Sequence, residues 1–102
     1  MNNAGLTSVK FKKSAQEIEF TMAINHFAHF YLTDLLLPLI SKAEQSRIIN
    51  VASLAHGIAK PGPRPDFFFE NTTEQNYDFG EAYGRSKLAN VFFTQKLAVY
   101  LN

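Results

Sequence analysis

Tyr83 and Lys87 are the two residues whose types and spacing most directly suggest chemistry. They stand four positions apart, so on a helix their side chains share one face. A phenol with its ordinary pKa of about 10 exchanges protons poorly at neutral pH, and a neighbouring cation lowers that pKa. The spacing therefore predicts a proton-transfer pair at a helix start, although isolated pairs of this kind also occur on helix surfaces.

Ser53 directly follows residues 47–52, an apolar run rich in β-branched side chains. Such a run predicts a strand buried on both faces of a parallel sheet. Ligands of these sheets bind beyond the carboxyl ends of the strands, where the Ser53 hydroxyl can donate a hydrogen bond to a substrate carbonyl. A Ser leaving a strand also commonly caps a turn or helix, and the sequence leaves both roles open.

Two further polar segments are candidate site residues. Residues 2–5 are small or carry amides, which allows a close backbone approach to a ring or ribose, or an ordinary turn. Asn25 interrupts an apolar helical stretch, where it either kinks the helix around a water or is a satisfied core amide. His26 and His29 have helical spacing, but no third ligand accompanies them. We expect them to pack rather than to bind a metal.

Two long helices are predicted to position these residues. Ser14 and Glu17 have the spacing of a capping box, which predicts a helix from Ser14 to about Ser41, with Pro38 bending its last turn. Apolar residues at helical spacing predict the second helix over residues 81–101.

Between the predicted strand and the second helix, residues 55–80 are rich in Pro and Gly and contain Phe67, Phe68 and Phe69. We interpret this stretch as an ordered insertion, whose Phe cluster either contacts a lipophilic substrate or seals the insertion against the sheet. The alternation of helix and strand predicts an α/β fold, specifically the central portion of a partial doubly wound parallel sheet.

Composition excludes several classes of function. At 102 residues we expect one domain at most, and a net charge of +1 provides no field for nucleic acid. The absence of cysteine excludes disulfides and thiolate metal sites. The longest apolar stretch, residues 35–40, is too short to span a bilayer, so we expect a soluble chain for which a cytoplasmic location is permitted.

Taken together, four motifs resemble the short-chain dehydrogenase/reductase family. In chain order they are Asn2-Asn3-Ala4-Gly5, Ile24-Asn25-His26, Asn50-Val51-Ala52-Ser53 and Tyr83-Gly84-Arg85-Ser86-Lys87. Their order and rough spacing agree with the family across nearly the whole chain. The residues between the motifs are similar to the retinol-dehydrogenase-like branch.

The resemblance implies hydride transfer between a nicotinamide and an alcohol or carbonyl carbon of a small, lipophilic, retinol- or retinal-like substrate. Tyr83 is then the general acid in reduction and the base in oxidation, and Ser53 polarises the carbonyl oxygen. Lys87 depresses the pKa of the phenol and binds the nicotinamide ribose, and Asn25 holds a relay water.

The cofactor implied is NAD or NADP. It would be bound by Tyr83, Lys87 and the turn formed by Asn2, Asn3, Ala4 and Gly5. The residues that distinguish the two cofactors in the family have no counterpart in this sequence.

The family's Rossmann-like fold also has a Gly-rich phosphate-binding loop, and the five glycines here form no such cluster. We therefore expect residues 1–102 to be the central, catalytic part of a single NAD(P)-binding domain. The N-terminal Gly-rich half and the C-terminal substrate lid are lacking, and we expect the chain alone to be inactive. The intact parent protein would be able to form a homo-oligomer through the two long helices.

Two alternatives remain. In the first, the chain is a truncated, non-catalytic remnant or interaction fragment that binds a partner through an exposed sheet edge. Its apolar faces would then favour aggregation. A sugar-nucleotide epimerase or dehydratase shares the Tyr-x-x-x-Lys motif, but the intact Asn-Asn-Ala-Gly segment argues against it.

Overall fold

The computed structural model describes residues 1–59 and 72–101. Its helical elements are α1 (Phe20–Met22), a π-turn (Ala23–Phe27), α2 (Ala28–Ile40), a 3-10 turn (Leu54–Ile58) and α3 (Phe79–Leu101). The first three follow one another without a break and form one helical rod from Phe20 to Ile40. The predicted cluster of Phe67, Phe68 and Phe69 lies outside the described residues.

The helical rod begins at Phe20, so the prediction of a helix start at Ser14 is wrong. Glu17 has a φ of 63°, a left-handed conformation that cannot continue into a helix. The backbone carbonyl of Ser14 instead accepts the N–H of Glu17 at 3.0 Å, which closes a tight turn. The actual cap is Glu19, whose carboxylate accepts two backbone N–H groups of the first helical turn at 2.6 and 3.1 Å.

The predicted parallel sheet is also wrong, because residues 1–59 and 72–101 contain no β-strand. Residues 47–52 make a single parallel bridge, between Asn50 and Asn2. In this bridge the N–H of Asn2 donates to the Ile49 carbonyl at 2.7 Å, and the N–H of Val51 donates to the Asn2 carbonyl at 3.1 Å. The two segments are therefore parallel neighbours without forming a ladder.

Beyond Asn2, side chains of the helical rod bond backbone groups of the N-terminal segment. The carbonyl of Ala4 bonds the His29 Nε2 at 2.7 Å. Both the N–H and the carbonyl of Leu6 bond the side chain of Asn25. These backbone groups are satisfied by side chains of the helical rod instead of by a second strand.

The predicted second helix is confirmed, since α3 spans Phe79–Leu101 against the predicted residues 81–101. Asp78 precedes it, and its carboxylate accepts the N–H of Glu81 at 3.0 Å, as an N-cap does. α3 packs on the π-turn, α1 and the 3-10 turn. Residues 84–90 are all buried, and α3 supplies most of the buried residues in the described part of the chain.

The buried interior between the helical rod and α3 is unusually polar. The largest fully buried side chains are Asn25, Thr21 and Ser86, and Asn90 and Lys87 are buried beside them. Buried polar groups persist only when they are hydrogen-bonded, so the packing of the two helical elements depends on a specific set of polar contacts.

The outward face of α2 is apolar and exposed. Leu39 is 64% exposed, and Tyr31 and Leu35 are similarly open to solvent. In the part of the chain that the structure describes, no helix combines the length and apolar character needed to cross a membrane.

Candidate active site

Asn25 sits at the centre of the π-turn and is fully buried. Its side-chain Oδ1 accepts the N–H of Leu6, and its Nδ2 donates to the Leu6 carbonyl, both at 2.8 Å. The second Nδ2 hydrogen reaches the Ser86 Oγ at 3.0 Å. The sequence left open whether Asn25 bends the helix or is a satisfied core amide. The structure shows a satisfied amide within a locally widened helix.

Gly5 lies against Asn25 and Lys87. A Cβ on Gly5 would stand 3.0 Å from the Asn25 Oδ1 and 3.6 Å from the Lys87 Nζ. The first distance is tighter than ordinary side-chain contacts allow, so only glycine fits without displacing the amide. Residues from three of the four sequence motifs therefore meet at one point.

Lys87 is the buried cation of this cluster, with 4% of its surface exposed. Its Nζ donates to the Val51 carbonyl at 3.4 Å and lies 5.5 Å from the centroid of the Tyr83 ring. No carboxylate within residues 1–59 or 72–101 forms an ion pair with it. A buried ammonium normally requires several acceptors, and a ligand that carries hydroxyl groups would supply them.

Tyr83 is half-buried near the start of α3. The 3-10 turn packs closely against the next residue, Gly84. A Cβ on Gly84 would approach the Ala55 carbonyl to 2.5 Å, which no real side chain does. The turn that follows Ser53 thus packs directly on the helix start that carries Tyr83.

Ser53 caps the 3-10 turn, which is one of the two roles that the sequence leaves open. Its Oγ accepts the N–H of Ala55 at 3.1 Å, and its carbonyl bonds the His56 Nδ1 at 2.7 Å. The capping bond uses the hydroxyl oxygen as an acceptor. The hydroxyl hydrogen still has its donor capacity for another group.

The remaining predicted cofactor residues differ in exposure. Asn3 and Ala4 are exposed, whereas Asn2 is half-buried. The Asn2 Nδ2 donates to the Thr33 Oγ1 at 3.0 Å and to the Asn50 Oδ1 at 2.7 Å. The Asn2 side chain therefore faces the helical rod.

Ser86 and Asn90 are polar residues of this cluster that the sequence analysis missed. The Ser86 Oγ donates to the Tyr83 carbonyl at 2.7 Å, and the Asn90 Nδ2 donates to the Asn25 carbonyl at 2.9 Å. Both share the helix face of Tyr83 and Lys87 at spacings of three or four residues. That spacing is the feature of the sequence from which their place in the cluster could have been predicted.

The two histidines of the helical rod take part in the same packing. His26 contacts the aromatic rings of Phe30 and Phe93, and its Nδ1 bonds the Asn90 Oδ1 at 3.1 Å. Burial lowers the pKa of His26 below its usual value, the bond with Asn90 opposes this, and nearby His29 adds to the lowering. Across the described ranges, no three His, Cys, Asp or Glu side chains are grouped as metal ligands would be.

Comparison with known proteins gives consistent matches. The profile of the family described as short chain dehydrogenase matches residues 1–63. Human retinol dehydrogenase 11 is 42% identical over 99 residues, and human retinol dehydrogenase 12 is 41% identical over 98. Each match covers 96% of this chain and 29% of the relative. Human retinol dehydrogenase 14 is 39% identical, covering 96% and 28%. No solved structure matches the chain.

Proposed function

Because this chain belongs to the short-chain dehydrogenase family, we propose that it forms the catalytic part of an NAD(P)-dependent oxidoreductase. The reaction is hydride transfer between a nicotinamide and the carbon of an alcohol or carbonyl substrate. The observation that carries this proposal is the cluster of Gly5, Asn25 and Lys87 beside the Tyr83 ring. Its members come from motifs far apart in the chain.

Tyr83 and Ser53 act on the substrate oxygen in this proposal. In reduction the Tyr83 phenol gives its proton to the carbonyl oxygen, and in oxidation the phenolate takes the proton of the alcohol. The Ser53 hydroxyl donates a hydrogen bond to the same oxygen, which its capping bond with Ala55 leaves possible. The contact of Gly84 with Ala55 supports this pairing, because it holds the Ser53 turn against the helix start.

Lys87 binds the ribose hydroxyl groups next to the nicotinamide, and its charge stabilises the Tyr83 phenolate. The buried ammonium and the glycine beside it fit such a group, since hydroxyl oxygens would complete the hydrogen bonds of the Nζ. When bound, the nicotinamide supplies or accepts the hydride.

The segment of residues 2–5 lines the adenosine side of the cofactor. Asn3, Ala4 and Gly5 are its exposed members, whereas the Asn2 amide is engaged with Thr33 and Asn50. NAD and NADP are both compatible with these residues.

Asn25 contributes the water of a proton relay from Lys87. Both hydrogens of its side-chain amide are already used, by Leu6 and by Ser86. A relay water must therefore donate to an oxygen of Asn25, whose backbone carbonyl already accepts from Asn90.

We further propose that the active protein is longer than this chain, which spans less than a third of the retinol dehydrogenases it matches. No Gly-rich loop for a pyrophosphate is present in the sequence, so the chain alone is expected to be inactive. Relatives named as retinol dehydrogenases favour a lipophilic alcohol or aldehyde as the substrate.

The experiment that tests this function begins with the full transcript that encodes the chain. The protein translated from it is purified and mixed with retinal and either NADH or NADPH, and loss of cofactor absorbance is followed. We expect turnover with one of the two cofactors. A protein that shows no turnover with either cofactor, and no binding of either in a fluorescence titration, contradicts the proposal.

A second candidate, an interaction fragment of such an enzyme, is favoured by the exposed apolar face of α2. Leu35 and Leu39 lie on it beside Tyr31, and such a face usually packs against another surface. The same cofactor assay separates the candidates, because an interaction fragment binds neither NADH nor NADPH and self-associates when concentrated.

A further inference from the structure

Asn90 is a buried amide on α3, three residues beyond Lys87, with 2% of its surface exposed. Its Nδ2 donates to the backbone carbonyl of Asn25 at 2.9 Å. Its Oδ1 faces the Nδ1 of His26 at 3.1 Å. One side chain of α3 therefore binds two consecutive residues of the π-turn.

The chemistry of these partners fixes how the Asn90 amide is oriented. A backbone carbonyl can only accept, so the atom that faces Asn25 must be the Nδ2. The Oδ1 then faces His26, and the neutral imidazole must carry its hydrogen on Nδ1 to complete the pair. With the amide reversed, the bond to the Asn25 carbonyl could not be made.

The π-turn is the feature that these bonds support. A π-turn is a rare, locally widened helical segment, and helices depart from regular α geometry where a side chain enters their backbone hydrogen bonding. If residues 23–27 relaxed to a regular α-helix, Asn25 would rotate about the helix axis. Its amide would then leave Leu6 and Ser86.

We propose that Asn90 is a positioning residue of the oxidoreductase site, which keeps the π-turn in place and thereby aims the Asn25 side chain at Leu6 beside Lys87. This inference rests on the proposed function. Asn90 acts through Asn25 and does not itself contact the reacting atoms.

A hydrogen-bonded chain ties Asn90 to the other polar residues of the site. The Thr94 Oγ1 donates to the Asn90 carbonyl at 2.8 Å, and the Asn50 Nδ2 donates to the same Thr94 Oγ1 at 3.0 Å. Asn50 in turn accepts from Asn2. Asn90 is thus joined through its backbone carbonyl to the segment that precedes Gly5, and through its side-chain amide to the π-turn.

Amide hydrogen exchange in two variants tests this role. Asn90→Leu preserves the size of the side chain and removes both bonds, whereas Asn90→Asp keeps an acceptor for His26 and removes the donor to Asn25. Gln95→Leu, at an exposed position of the same helix, is the matched control. The measured group is the Leu6 N–H, which donates to Asn25, and the reference is the Ala82 N–H, which donates to the Asp78 carbonyl.

We expect exchange of the Leu6 N–H to become about tenfold faster in both Asn90 variants, while the Ala82 N–H and the control stay unchanged. Equal acceleration at Leu6 and Ala82 would mean that Asn90 only fills the core, and it would overturn the proposal. If both variants fail to fold, the scalar coupling from the Asn90 Nδ2 to the Asn25 carbonyl carbon is measured in the unmodified protein. Absence of that coupling would also overturn it.

A kinetic measurement on the full-length protein separates this proposal from the proposed function. In Asn90→Asp we expect kcat to fall about 10- to 100-fold with little change in the KM for the cofactor. An unmodified protein without any oxidoreductase activity would refute the function and leave the exchange comparison to decide the role of Asn90. Turnover unchanged in Asn90→Asp would refute the positioning role alone.

Discussion

The backbone of Leu6 and the side chain of Asn25 pair through two hydrogen bonds of 2.8 Å each. The amide takes both backbone groups of Leu6, as a neighbouring strand would. This pairing follows the parallel bridge at Asn2, and Gly5 lies between the two, beside the buried Lys87 ammonium. One side chain of the π-turn therefore sets both the local backbone path and the geometry of the candidate site.

Gly84→Ala is expected to destabilise the protein. A methyl group there would stand 2.5 Å from the Ala55 carbonyl, so the 3-10 turn must move away from α3. We expect a loss of about 1–3 kcal/mol in the free energy of unfolding, measured by urea denaturation. Gly57→Ala is the control, because nothing lies within 4 Å of its added methyl. Equal losses in the two variants would contradict the close packing described for Gly84.

Lys87→Met is expected to raise the stability of the protein and to weaken its cofactor binding. Methionine removes a buried cation that has no ion-pair partner in the described part of the chain, so the urea midpoint should rise. Loss of the charged donor should weaken NADH or NADPH binding about 10- to 100-fold, measured by fluorescence titration. Lys96→Met, at an exposed position of α3, should change neither quantity. Unaltered cofactor affinity in Lys87→Met would remove Lys87 from the cofactor site.

His26 is expected to make the protein less stable in mild acid. Burial holds its pKa below the usual 6.5, so below that pH the unfolded chain binds a proton that the folded protein does not. The free energy of unfolding should therefore fall as the pH drops through 6.5 towards the lowered pKa of the folded state. Urea denaturation of His26→Gln should show a flatter pH dependence, and His56→Gln serves as the comparison. A slope equal to that of the unmodified protein would contradict this assignment.

The sequence predicts the helices better than the sheet, for physical reasons that particular residues show. Helical spacing of apolar residues is a local property, so α3 could be predicted almost to its ends. A strand requires partners along its length, but residues 47–52 have a single bridge, to Asn2, while backbone groups of Ala4 and Leu6 bond side chains of the helical rod. The capping box at Ser14 failed because Glu17 adopts a left-handed conformation that spacing does not reveal.

The sequence motifs identify some residues of the candidate site and miss the ordinary polar residues that support them. Gly5, Asn25 and Lys87, from three of the motifs, lie together in the structure, and their functional roles stay predictions. Ser86 and Asn90 were missed because a polar residue within a helix is usually a surface residue. Only the packing of α3 on the π-turn shows that they are buried.

Tyr83→Phe in the full-length protein tests the central proposal most directly, because it removes the phenol oxygen and leaves the ring 5.5 Å from Lys87 in place. Turnover of retinal is measured together with cofactor affinity, and Tyr100→Phe, at an exposed position of α3, is the control. We expect kcat to fall at least about 100-fold in Tyr83→Phe, with cofactor binding largely retained and the control unaffected. Retained turnover in Tyr83→Phe would contradict the assignment of Tyr83 as the proton-transfer residue.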